Sequence, residues 1–181
     1  MPDGTRSGLV QRKLELLAGF LAELEPLARP GRRPGGNLER RAMERLVQVV
    51  VEAAIDVNGL LLAARSLPPP GSARDSFVSV RDAGLLPRDL AERFIASYVG
   101  LRNRIVHDYD ALDPSLVARS ASRLLADARA YARAVASHLD DEAGSSRARE
   151  PRVPYEARGQ RAPAPSTRGA RARKGPATKR R

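Results

Sequence analysis

The sequence predicts an all-α fold, an antiparallel up-and-down four-helix bundle with one short extra helix. Three observations carry this. Apolar side chains recur at steps of three and four along four long stretches, the period of a helix with one buried face. Stretches rich in proline and glycine separate them. No segment alternates apolar and polar residues as a half-buried strand would.

The first stripe is Val10, Leu14, Leu17, Leu21, Leu24 and Ala28, with Pro26 and Pro30 leaving its end open and residues 29–36 reading as a loop. Asn37 is the expected N-cap of the second helix, whose face is Leu46, Val50, Ala53, Val57, Leu61 and Ala64, widened by Val49, Ala54 and Leu60. Pro68, Pro69, Pro70 and Gly71 stop it. Ser72, three residues before Asp75, resembles a capping box, and Gly84 suits the end of the short helix that follows. Pro87 fits the first position of the next helix, whose inner face is Leu90, Phe94, Tyr98, Leu101 and Ile105. Asp113 and Pro114 form a cap and first-turn pair. The last stripe is Val117, Ala121, Leu124, Ala128, Tyr131 and Val135, fading by Leu139.

Charge divides the chain differently from hydropathy. Of its 32 basic and 21 acidic residues, residues 141–181 hold 12 and 4, giving that segment +8 and residues 1–140 the remaining +3 of the +11 total. Val153 and Tyr155 are the only sizeable apolar side chains after Asp140, too few to offset the entropy of ordering that segment. The expected organisation is a helical domain over residues 1–140 and a basic, disordered tail over 141–181. The absence of cysteine removes disulfides, thiolate zinc sites and cysteine nucleophiles, and fits a cytoplasmic protein. No signal peptide, membrane span, glycine-rich phosphate loop or metal-ligand cluster is legible, so neither a cofactor nor a metal is expected. The wide face of the second helix, with its Val49–Val50–Val51 triplet, suggests a homodimer; a fully buried central helix is the alternative.

The chemistry concentrates in LRNRIVHDYDALDP, which begins at Leu101. On a helix Asn103 and His107 share a face, whereas Arg102 lies about 140° around and about 7.5 Å along the axis from His107. Both could engage one phosphate across a dimer interface or through a distorted helix. An imidazole can move the proton of a ribose hydroxyl, and arginine forks pair with phosphate oxygens. Arg102 and His107 are therefore the catalytic candidates, with Asn103, Arg104 and Tyr109 as substrate or phosphate contacts. Asp108 and Asp110 oppose a purely electrostatic nucleic-acid groove. The competing reading is an ion-paired surface histidine. His138, near the end of the last stripe, reads as a favourable helix C-terminal charge.

Arg102, four intervening residues, His107, one residue and Tyr109 resemble the signature of the HepT-like toxins, formerly a domain of unknown function, within the HEPN superfamily of helical nucleases. RAMERLVQVVVEAAIDVNGLLLA from Arg41 resembles the family's second helix, and DSFVSVRDAGLLPRDLAERF from Asp75 its short helix and turn. The resemblance spans roughly residues 9–140. It implies a HEPN-like homodimer that cleaves RNA without a metal and leaves a 2′,3′-cyclic phosphate. It also implies a partner, a nucleotidyltransferase-fold antitoxin, within a larger toxin–antitoxin complex, that silences the toxin by attaching AMP to Tyr109. Asp56 and Asn58 are possible supporting residues, although Val57-Asn58-Gly59 departs from the polar pair usual after that aspartate. Two other functions stay open at this level: a HEPN-type interaction protein without catalysis, and a nucleic-acid binder driven by its tail.

Overall fold

The computed structural model describes residues 3–29, 31–32, 35–107 and 112–149, and every regular element within them is helical. The order is α1 (Asp3–Leu24), α2 (Asn37–Ala64), α3 (Ala73–Asp82), α4 (Arg88–Arg93), a π turn (Phe94–Tyr98), α5 (Val99–His107) and α6 (Pro114–Arg149). Because α4, the π turn and α5 follow without a break, the chain forms four long helical rods and the short α3. This is the expected all-α plan.

Helix α2 is the axis of the packing, touched by α1, α3, α5 and α6. That arrangement corrects the reading of its wide apolar face. Val47, Val50, Val51, Ala54 and Val57 are all fully buried within this one chain, and Val49 is the member of the valine triplet that remains partly exposed. The width serves four neighbours inside the chain, so it is no longer an argument for a second copy. Composition and length would also let α2 cross a membrane, but it is the core helix here.

Local chemistry sets the ends of the helices. Ser72 caps α3, its Oγ accepting from the Asp75 N–H at 3.1 Å. After α3, Gly84 adopts φ +69°, with the Leu85 N–H donating to the Val80 carbonyl and the Gly84 N–H to that of Arg81. This is a Schellman close, which the left-handed glycine permits. Asp113 caps α6 through the Ser115 N–H at 2.8 Å, and Pro114 takes the first position. Two expectations shift by one residue. Gly36, not Asn37, is the N-cap of α2, and no side chain caps it; Glu39 instead reaches back to the Gly35 N–H at 2.7 Å and to Arg32 at 2.8 Å. Pro87 is the N-cap of α4 rather than its first residue.

Helix α2 ends before its prolines act. Ser66 takes φ +55°, and the Leu67 N–H donates to the Leu62 carbonyl at 3.0 Å. The geometry matches that at Gly84, with a serine in the glycine position.

The centre is aromatic. Phe77 of α3 stacks on Phe94 at 4.8 Å between centroids, and Tyr131 of α6 meets Phe94 at 5.5 Å. Tyr98 completes the cluster against Phe94 at 5.2 Å and donates to Asp127 at 2.6 Å. Phe94 and Tyr98, four apart and so on one face, are both buried within a wider turn closed by the Val99 N–H on the Phe94 carbonyl.

Helix α6 runs through Arg149, past the expected boundary at residue 140. Helix needs no buried face where side chains pair along it: His138 lies 3.4 Å from Glu142, which also holds Arg65 at 2.6 Å. His138 therefore ties α6 to the end of α2 instead of ending a helix. Of the expected tail, residues 150–181 lie outside the described residues.

Candidate functional site

Helix α5 rests on α2, whereas α4 and the π turn pack on α6. Val99 and Leu101 anchor α5, which fixes where the next residue points. Arg102 turns towards α2, its Nη2 2.8 Å from Glu52 Oε1. Its Nη1 donates to Asn103 Oδ1 at 3.2 Å, and its Nε–H is buried with no partner among the described residues. Gln48, one turn earlier on α2, donates to the same Glu52 oxygen at 2.9 Å. Burial pushes the Glu52 carboxyl up, but the hydrogen bonds from Gln48 and Arg102, with the charges of Arg102 and Arg45, together hold it below its ordinary value.

The remaining candidates separate into distinct places. Asn103, Arg104 and His107 are exposed on α5, and His107 is its final residue. Arg102 is only partly exposed and aims at α2, so within one chain it does not converge with His107. Tyr109, with Asp108 and Asp110, lies outside the described residues. Asp56 pairs with Lys13 of α1 at 2.6 Å, away from the motif. Asn58 is fully buried, accepting from the Tyr131 hydroxyl at 2.7 Å and donating to Ser76 Oγ at 3.3 Å. Its side chain holds α2, α3 and α6 together and has no path to solvent.

Sequence reasoning missed Glu52 and Gln48. A signal was present: Glu52 interrupts the apolar run LVQVVVEAAIDV, where an acid needs a partner to be tolerated.

Residues 34–135 match the sequence profile of the family described as Ribonuclease HepT-like. The chain belongs to that family. It is 30% identical over 133 residues to the tRNA nuclease HepT of Aphanizomenon flos-aquae (strain 2012/KM1/D3), covering 72% of this chain and 90% of that protein. It is 33% identical over 81 residues to the mRNA nuclease HepT of Shewanella oneidensis, covering 45% of this chain and 60% of the relative. Its fold is similar to the crystal structure of a toxin-antitoxin with AMP-PNP, with TM-score 0.66, 21% identity, and coverage of 72% of this chain and 98% of that one.

The profile match opens before α2 and closes within α6, so it contains both Glu52 and the whole α5 motif. In this HepT-like chain the guanidinium carries five N–H donors, of which the contacts to Glu52 and Asn103 use two. The remaining Nη donors can meet a phosphate oxygen while Glu52 fixes the plane of the fork.

Proposed function

We propose that this protein is a metal-independent endoribonuclease toxin of a toxin–antitoxin pair, acting in the cytoplasm. The observation that carries the reading is the placement of Arg102 and His107 on the last turns of α5 in the family pattern, inside the matched region. The activities named for the two curated relatives, a tRNA nuclease and an mRNA nuclease, support RNA as substrate.

In this reading His107 takes the proton of a ribose 2′-hydroxyl. The freed oxygen attacks the adjacent phosphorus, the bond from phosphorus to the 5′-oxygen breaks, and that oxygen collects a proton from a second imidazole or water. The products are a 2′,3′-cyclic phosphate and a 5′-hydroxyl. Arg102 stabilises the charge growing on the phosphate oxygens, and Asn103, Arg104 and Tyr109 contact the substrate. The 140° offset between Arg102 and His107 supports a homodimer in which the fork of one copy faces the imidazole of the other. No cofactor enters these steps.

The toxin-antitoxin fold match supports a protein partner. We assign that partner a nucleotidyltransferase fold, with silencing by transfer of AMP to the Tyr109 hydroxyl and release of pyrophosphate from ATP. The test is cleavage of RNA by the purified, partner-free protein in excess EDTA, beside His107→Ala and Arg102→Ala. Cyclic-phosphate ends made by the wild type alone are expected. Intact RNA throughout, or equal cutting by His107→Ala, would overturn the assignment.

A further inference from the structure

A second feature lies at the start of α6, away from the Arg102–Glu52 pair. A cavity of about 740 Å³ opens between the α1–α2 connection, the first turn of α2 and the first turns of α6. Five arginines line it: Arg29, Arg32, Arg40, Arg119 and Arg123. Among the described residues no carboxylate is in the lining. The acids nearby only partly offset this charge: Glu39 holds Arg32 at 2.8 Å, while Glu44 and Asp113 stand 3.9 Å from Arg40 and Arg119. Arg29 and Arg123 have no ion pair among the described residues. Concentrating five guanidinium groups with so little compensation costs stability by mutual repulsion, which an anionic ligand would relieve.

We propose that this cavity holds phosphate groups of the RNA backbone and positions the strand for the site on α5; the inference rests on the ribonuclease reading. The ligand class follows from the lining. Arginine forks match phosphate oxygens. Ser115 and Asn37 add polar groups at the N-termini of the two longest helices, whose partial positive charge points the same way. Among the described residues no aromatic ring lines the cavity, so they offer no stacking platform for a base and read backbone without sequence preference. Position links it to the chemistry. Pro114, in the lining, follows His107 by seven residues, so their Cα atoms lie at most roughly 25 Å apart. A few nucleotides span that distance.

The test uses the full chain carrying His107→Ala, so that bound RNA stays intact, with a fluorescein-labelled single-stranded RNA as probe. Arg29→Gln combined with Arg123→Gln removes the two unpaired charges and leaves the fold's ion pairs in place. Expected are an unchanged Tm, weaker RNA binding on the order of tenfold, and a shallower dependence of log Kd on log salt, by roughly 1.4 for two phosphates released. In the catalytically intact background the same pair should raise KM and spare kcat. Unchanged affinity and salt slope would overturn the proposal. So would displacement of the RNA from the His107→Ala chain by micromolar ATP or inorganic triphosphate, which would make the cavity a free-nucleotide site. Loss of antitoxin binding with RNA affinity intact would make it a protein-docking surface and overturn it as well. Binding and cutting are read separately: RNA bound through the cavity but never cut sinks the nuclease reading alone, and cutting indifferent to these arginines sinks the cavity alone.

Discussion

Glu52 holds Arg102: the guanidinium of the motif arginine lies 2.8 Å from a carboxylate fifty positions earlier, on the central helix. The motif is thus braced from a helix outside it. In the proposed reaction Glu52 acts through Arg102, as a positioning residue. Glu52→Gln keeps the volume and loses the charge, so it should lower kcat for RNA cleavage about tenfold and leave KM within about twofold, since the fork is misaligned only where charge develops. A fall in Tm with both kinetic constants unchanged would reduce Glu52 to a scaffold residue.

The same pair predicts a pH dependence of stability. Glu52 has a depressed folded-state pKa, against an ordinary value of 4.5. Its contribution is fully present above the unfolded pKa and is lost as pH falls through the lower folded value. The stability difference between wild type and Glu52→Gln should therefore be constant from neutrality down to about pH 5 and shrink below that. Urea titrations at a series of pH values measure it, and a difference that grows on acidification contradicts the assignment. Both side chains are about one-third exposed or less, so the contribution is that of a solvent-screened pair.

Tyr131 and Asn58 give a prediction about what is structural. Tyr131→Phe removes the hydroxyl that serves the Ala54 carbonyl and Asn58 Oδ1, leaving a fully buried amide oxygen unpaired at a cost of about 1–3 kcal/mol. Asn58→Leu should destabilise as well, and the double variant should cost less than the sum, because the two share one hydrogen bond. Neither change should alter kcat measured well below Tm. A specific loss of kcat in Asn58→Leu would return that residue to the site.

Ser66 is a serine doing the work of a glycine. At φ +55° its Cβ costs about 1 kcal/mol that Gly84, in the same role after α3, does not incur. Ser66→Gly should raise stability by about 0.5–1 kcal/mol, or roughly 2–4 °C in Tm. Calorimetry showing no gain would mean that flexibility added to the unfolded chain cancels the relief.

What the sequence could disclose follows the range of the interactions involved. Ser72, Gly84 and Asp113–Pro114 were legible because each bonds within a few residues of itself. Asn37 misled because Glu39 and Arg32, a competing local pair, took over the start of α2. The Arg102–Glu52 contact joins segments fifty residues apart, and spacing along one helix cannot reveal which neighbour a side chain meets. Periodicity exposed the apolar width of α2 but not its occupants, which turned out to be four helices of the same chain. The extension of α6 escaped notice because pairing of Arg65, His138 and Glu142, rather than burial, secures it.

The π turn sets the azimuth of α5, and this can be tested by length alone. Its i→i+5 closure accommodates one residue more than an α-helical turn would. Deleting the exposed Ala96 should let the turn close as α-helix, with Val99 still bonded to the Phe94 carbonyl and the residues beyond it in the same phase, so Arg102 should stay on Glu52 and cleavage should stay within about twofold of wild type. An alanine inserted after Gly100, outside the turn, should instead rotate Leu101 and everything beyond it by about 100°, carrying Arg102 off Glu52. Cleavage should then fall by at least about tenfold, the scale of losing one oriented charge, while far-ultraviolet circular dichroism stays helical. Wild-type activity in the insertion would show that the direction in which Arg102 points has no bearing on the reaction.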